Sequence, residues 1–240
     1  QESEGLLGGT LPDAAREIPP FDPVVLEAIE AKLNWTYAHA EAAQIRAKAA
    51  VSRVVKGEDS MPLFARPAFL GKETSAVFAG TATHAAMQFL PLERSMDDAD
   101  ARAYLALLSE QGRITPEQGE VADASAIAWF SHDVLFTRMQ RAERLERELP
   151  FSYPMDAMQL YGIAAEETVL LQGVLDACFR EDGEWVILDY KTDRIRQGES
   201  AEQAAERHTK QLRLYALALE SLTGQRVKEL YVVLLTHRAA

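Results

Sequence analysis

The chain of 240 residues holds a single cysteine, Cys178. That excludes an internal disulfide, and any zinc or iron–sulfur centre that would draw four thiolates from this chain. Cys178 lies inside an apolar run and reads as a small buried residue. Long apolar runs are missing as well, so no membrane-spanning helix is expected. The opening residues, QESEGLLGGT, lack the apolar stretch of a secretory signal, and a cytoplasmic location is expected. A start at Gln1 rather than methionine reads as a portion of a longer polypeptide. Cations are scarce, with 25 Lys and Arg against 37 Asp and Glu, for a net charge of −12. Free-standing DNA-binding domains are usually basic. The charge therefore argues against nucleic acid unless carboxylates gather around metal ions, or the basic track belongs to another domain or subunit. The G-x-x-x-x-G-K-[ST] phosphate loop is absent, which excludes an ATP site of that type.

What is present supports one large domain with an extension: 48% of the residues are hydrophobic, enough for a sizeable core. Residues 1–23, with Gly8-Gly9, Pro12, Pro19-Pro20 and Pro23, read as a linker. Alanine-rich helical spacing follows from Val24 to about Val55 and breaks between Lys56 and Pro67. We divide the chain into a linker and helical connector over 1–60 and a main domain over 61–240. A loop over Gly71–Ser75 precedes AVFAGTATHAAMQFL, a helix carrying His84, Met87 and Gln88. Asp97–Ser109 and Pro116–Arg147 read as further helices, with charge runs such as RAERLERE on solvated faces. The period then changes. LPFSY and MQLYGIA read as short strands, followed by longer strands at about 168–180 and 184–192, a helix over about 200–222 that stops near Gly224, and a last strand, VKELYVVLLT. The expected fold is α/β, a mixed sheet flanked by helices.

The stretch LLQGVLDACFREDGEWVILDYKTDR carries the chemistry. Asp182-Gly183 between two apolar runs is a strong hairpin signal. A two-residue turn sets Glu181 opposite Glu184, and the same register brings Asp176 opposite Asp189. Facing side chains in such a pair are about 5 Å apart, and like charges there repel, so a bound cation would resolve the conflict. Lys191 follows Asp189 by two and shares its face. Two carboxylates beside an ammonium suit a hard divalent ion, Mg²⁺ or Mn²⁺, and a phosphate whose hydrolysis the lysine assists. The competing reading is an ordinary salt bridge at a strand end. Gln211 and Tyr215 share one helix face, either as a contact to phosphate or base or as ordinary packing. His84 is a structural histidine or an imidazole ligand to the same metal; sequence distance cannot place it near the hairpin.

Taken in order, these pieces resemble the RecB-like nuclease domain of the PD-(D/E)xK superfamily, most of all the C-terminal nuclease domain of the AddA helicase–nuclease subunits of bacterial AddAB. GTATHAAMQFL resembles the Gly-Thr-x-x-His motif, QGVLD the Gly-x-x-Asp motif, DYKTD the Asp-Tyr-Lys signature and QLRLY the Gln-x-x-x-Tyr motif. LNWTYAHAEAAQIRAKAAVS is similar to the segment that joins the helicase part to the nuclease, and the whole resemblance covers most of residues 32–236. RELPFS resembles a strand entry before the core, with no chemistry assigned to Glu148. The resemblance implies a restriction-endonuclease-like fold and Mg²⁺ (Mn²⁺ as a substitute) held by His84, Asp176, Asp189 and the Tyr190 backbone carbonyl. It makes Lys191 the catalytic lysine and puts Gln211 and Tyr215 beside the DNA. It further implies an exonuclease acting on a single DNA strand fed by a helicase during double-strand-break repair, with an AddB-like protein as the second member of a heterodimer. Tethering to a motor would answer the charge objection and leave this portion with weak, salt-sensitive DNA affinity of its own. Two alternatives stay open: a scaffold or docking domain that keeps the fold without the chemistry, and a stand-alone nuclease of the same class.

Overall fold

The computed structural model of the chain describes residues 22–35, 43, 45–57, 75–162, 167–193 and 195–240. Most of the expected N-terminal linker, the segment from Glu58 to Pro67 and nearly all of the 71–75 loop lie outside these residues. The chain divides into two compact units, Gln1–Ala40 and Glu41–Ala240. In the first, Asp22 caps α1 (Pro23–Leu33), and none of the helix's residues is buried.

In the second unit, β1 (Lys48–Ala50) runs directly into α2 (Val51–Lys56), which Gly57 stops in the left-handed region. Then come α3 (Ser75–Gln88), α4 (Asp98–Glu110), α5 (Pro116–Val121), α6 (Ala124–Ser131) and α7 (Val134–Arg141). The side chains of Asp97, Thr115, Asp123 and Asp133 each accept from a backbone N–H at the start of α4 to α7, which explains why the helices begin where they do. Next are β2 (Arg144–Asp156), α8 (Ala157–Tyr161), β3 (Thr168–Glu181), β4 (Glu184–Lys191), α9 (Ala201–Glu206), α10 (Thr209–Thr223) and β5 (Val227–Leu234).

The sheet is mixed. Its main order is β1-β3-β4-β5, with β2 also paired to β3; β1–β3 and β4–β5 are parallel, while β2–β3 and β3–β4 are antiparallel. Helices α3–α7 cover one face together with Ala177, Phe179, Val186, Leu188 and Val233. On the other face, α2 and α10 pack against Leu171, Leu175, Cys178, Trp185 and Ile187. The α/β architecture agrees with the sequence reading.

Three local expectations need correction. Residues 48–50 form a strand inside the run read as one helix, since alanine-rich residues pair with Leu170–Gln172 as readily as they coil. MQLY is a helical turn, not a strand: Asp156 caps it through the Met158 N–H and Gly162 ends it at φ 72°. Arg144–Arg147 belong to β2 rather than to a helix, so the RLERE run is a half-buried strand. Cys178 is fully buried and unpaired, and burial pushes its thiol up to about 12.

Candidate active site

The β3–β4 hairpin turns through Asp182 (φ 54°) and Gly183 (φ 76°), the two positive angles that a tight primed turn requires. The register runs from Glu181–Glu184 to Ala177–Leu188, as the Asp-Gly turn dictates. One step further lie Asp176 and Asp189, and there the ladder stops. Asp176 Oδ2 instead accepts the Tyr190 backbone N–H at 2.8 Å.

The ladder stops because β2 and β3 change faces at this point. In β3, Leu171 and Leu175 face α10, but two residues on Ala177 and Phe179 face the α3–α7 layer. β2 switches in step: Leu145 packs toward the α3–α7 layer, Phe151 and Met155 toward α10. The two ladder runs are Arg144–Arg147 with Ala177–Arg180 and Leu149–Asp156 with Thr168–Leu175; the residues left between them are Glu148 and Asp176. Glu148 makes the change at φ 48°, a left-handed conformation uncommon outside glycine. Both carboxylates thereby leave the regular alternation and project into the same space.

His84 completes the group from α3. Its Nε2 stands 2.9 Å from Asp176 Oδ2 and its Nδ1 3.9 Å from Glu148 Oε1. Donor atoms of His84, Glu148 and Asp176 all lie within 4.8 Å of one another. Three buried contacts hold α3 in place. Thr83 Oγ1 accepts the Asp123 N–H, the Tyr104 hydroxyl donates to Ala86 O, and the Arg147 guanidinium donates to Gln88 O. Gly80 lets α3 press against the end of β4, where a Cβ would collide with Thr192 Oγ1. The Tyr190 ring meets His84 edge-on at 6.1 Å and Phe130 at 5.5 Å, which fixes that side of the hairpin.

Asp189 is fully buried on the opposite side of the strand from Tyr190. Lys191 Nζ lies 2.7 Å from its Oδ2. The approach is off the line of a hydrogen bond, so Oδ2 remains a buried acceptor with capacity to spare. The Gln211 amide donates to Asp189 Oδ1 (3.3 Å) and to the Tyr215 hydroxyl oxygen (2.7 Å). Tyr215 stacks edge-on against Phe151 at 5.7 Å, over Gly173. A Cβ on Gly173 would stand 2.7 Å from the Phe151 ring and 3.1 Å from the Tyr215 ring, so this position needs glycine.

Electrostatics mark the cluster as carboxylate-rich. Burial raises the Asp189 carboxyl to about 6; Lys191 opposes the shift and Asp176 adds to it. Burial also raises Glu148, against the pull of His84. For His84, burial disfavours the charged ring, but the bond to Asp176 and the fields of Asp176 and Glu148 outweigh it and lift the pKa above its ordinary value. An imidazole and carboxylates converging at this range form a donor set that suits Mg²⁺ or Mn²⁺. His84 also lines a cleft of about 780 Å³ with Gly80, Thr81, Thr83, Thr192 and Asp193, an opening of ligand-binding size.

The structure thus gathers His84 and Asp176 around one point. It links Asp189, Lys191, Gln211 and Tyr215 in a chain of contacts beside that point. Sequence reasoning missed Glu148. Its charge run reads as solvent-facing, and only the face switch turns it inward.

Residues 63–239 match the PD-(D/E)XK nuclease superfamily. The chain belongs to it. Curated relatives named as ATP-dependent helicase/nuclease subunits of the AddA type include those of Geobacillus kaustophilus (33% identical, 85% of this chain, 18% of that protein), Anoxybacillus flavithermus (33%, 92% and 19%) and Acetivibrio thermocellus (34%, 85% and 17%). The chain spans about a fifth of the length of these relatives. For a member of a nuclease superfamily, the His84–Glu148–Asp176 group and the Asp189–Lys191 pair are the candidate catalytic apparatus.

Proposed function

We propose that the chain is a Mg²⁺-dependent deoxyribonuclease domain, with Mn²⁺ as a substitute ion, that hydrolyses phosphodiester bonds in a single DNA strand. The observation that carries this is the convergence of His84, Glu148 and Asp176 donors within 4.8 Å, next to the buried Asp189–Lys191 pair. His84, Asp176 and Glu148 would hold the cation, with Asp189 and the Tyr190 carbonyl completing the protein's share of ligands. When bound, the cation supplies Lewis-acid charge on a phosphate oxygen and a water of lowered pKa. Before His84 can serve as a ligand, the proton shared with Asp176 must leave. Lys191, steadied by Asp189, is placed to orient the attacking water and to stabilise negative charge gathering on the phosphate. Gln211, anchored by Tyr215, holds the outer side of Asp189 and offers its amide to the strand.

The named relatives motivate the wider reading. In it this portion, with residues 1–60 as connector, is tethered to an ATP-dependent helicase motor. The motor supplies the strand during double-strand-break repair, and an AddB-like protein is the partner. No helix among the described residues is long and apolar enough to cross a membrane, and the proposed location is cytoplasmic.

The test is cleavage of linear single-stranded DNA in Mg²⁺ by the wild-type chain and by Asp176→Asn and Lys191→Met. We expect wild-type cleavage that EDTA abolishes and that both variants lose, while their circular dichroism stays native. An inert wild-type chain would favour the scaffold reading. Undiminished cleavage by clean Asp176→Asn protein would remove the assigned site.

A further inference from the structure

Charge is not spread evenly over this acidic chain. In the helical layer and around the hairpin turn, Arg94, Arg102, Arg138, Arg144 and Arg180 each meet a carboxylate. On α2 and the first two turns of α10 the pattern is reversed. Among the described residues, Lys48, Arg53, Lys56, Lys210 and Arg213 make no ion pair, and all but Arg53 are exposed. α2 carries no acidic residue, and the first on α10 is Glu220, whose carboxylate is spent on the Val227 N–H. Elsewhere in the compact unit unmatched cations such as Arg141 and Arg238 stand singly.

The position of this patch gives it meaning. β1 and β4 lie along the same strand, β3: β1 pairs with Leu170–Gln172 and β4 with Ala177–Glu181. Neither pairs with Gly173–Asp176, the segment that ends at the candidate ligand Asp176. Because β1 is parallel to β3, its C-terminal end points toward that segment, and α2 begins there at Val51. α10 packs against α2 and lays Tyr215 over Gly173. The two helices with unmatched cations are therefore the two that flank the approach to the carboxylates. Lys210 directly precedes Gln211, whose amide already reaches Asp189.

An acidic site must bring a polyanion against its own field. Cations left without partners cost a nearby carboxylate nothing, and remain free to displace counterions from phosphates. We propose that Arg53, Lys56, Lys210 and Arg213, with Lys48 at their edge, form a track that binds the phosphate backbone of a single nucleic-acid strand and leads it to the site. The proposal rests on the nuclease reading for its direction but not for its measurement.

The test is fluorescence anisotropy of a labelled oligothymidylate of about 20 nucleotides, in EDTA so that nothing is cleaved, over a range of salt. The variants are Arg53→Glu/Lys56→Glu and Lys210→Glu/Arg213→Glu. The control is Arg141→Glu/Arg238→Glu, which changes net charge equally away from the track. Each track variant should bind about tenfold or more weakly and lose about 0.7 from the salt slope for each phosphate contact removed. The control should stay near wild type. Equal weakening in track and control variants would mean that only net charge acts, and would overturn the proposal. So would wild-type binding by the track variants, or equal and equally track-dependent affinity for duplex DNA. Cleavage measured in parallel separates the two ideas: a cleaving chain with an indifferent track loses this proposal alone, and an inert chain with a working track loses the nuclease reading alone.

Discussion

The two ends of the β3–β4 hairpin carry similar numbers of charges and treat them in opposite ways. At the turn, Arg138 bonds Glu181 and Glu229 and donates to the Tyr231 hydroxyl, while Lys228 reaches Glu181 at 2.8 Å and Asp182 at 3.3 Å. Every carboxylate there has a fixed cation, and the Glu181 carboxyl is held at about 2, chiefly by the bond from Arg138 and then by Lys228. At the far end, Glu148, Asp176 and Asp189 share Lys191 and one histidine, and burial lifts both Glu148 and Asp189. A cluster that only holds strands together is closed by its own cations. The far end lacks charge in the way a site awaiting a cation does.

The sharpest way to break this comparison is to neutralise one charge at each end. Asp189→Asn keeps the shape and removes a buried charge, so cleavage should fall by about a hundredfold or more, while thermal stability without metal holds or rises. A thermal melt and a cleavage assay on one preparation check both halves. Arg138→Met should do the reverse. It strands two half-buried carboxylates and should cost on the order of 2 kcal/mol, a melting temperature lower by several degrees, with cleavage per folded molecule close to wild type.

Acidity sharpens the contrast. Glu181 is depressed in the folded state, so its stabilisation is present above its unfolded value near 4.5 and is lost as pH falls toward about 2. Asp189 is raised from 3.8 to about 6, so in metal-free protein it costs stability as pH rises through that window. Urea denaturation between pH 3 and 7 should therefore show Arg138→Met flattening the acid limb below about pH 4.5, and Asp189→Asn flattening the decline between about pH 4 and 6. The same limb changing in both variants would contradict the separation of the two ends.

How much of this was legible in the sequence follows from period and range. The hairpin, its register and the shared face of Asp189 and Lys191 come from a two-residue turn and a two-residue period, both local. The helix starts were legible because Asp and Thr caps announce themselves. The meeting of His84 with Asp176 spans the whole α3–α7 layer, and residue patterns alone could not reach it; there the family motifs supplied the expectation. Glu148 escaped because its position depends on a left-handed residue where two strands trade faces, and RLERE carries no glycine or proline to announce a break. β1 escaped because three residues in an alanine-rich run give no period at all. α8 was misread because one helical turn between Asp156 and Gly162 offers too few residues to separate a period of 3.6 from one of 2.

The measurement that tests the central claim most directly is anomalous diffraction from crystals soaked in Mn²⁺. The account predicts a peak roughly 2.0–2.5 Å from donor atoms of His84, Asp176 and at least one of Glu148 and Asp189. No peak there in well-diffracting crystals, or manganese only at the acidic residues of the hairpin turn, would contradict it.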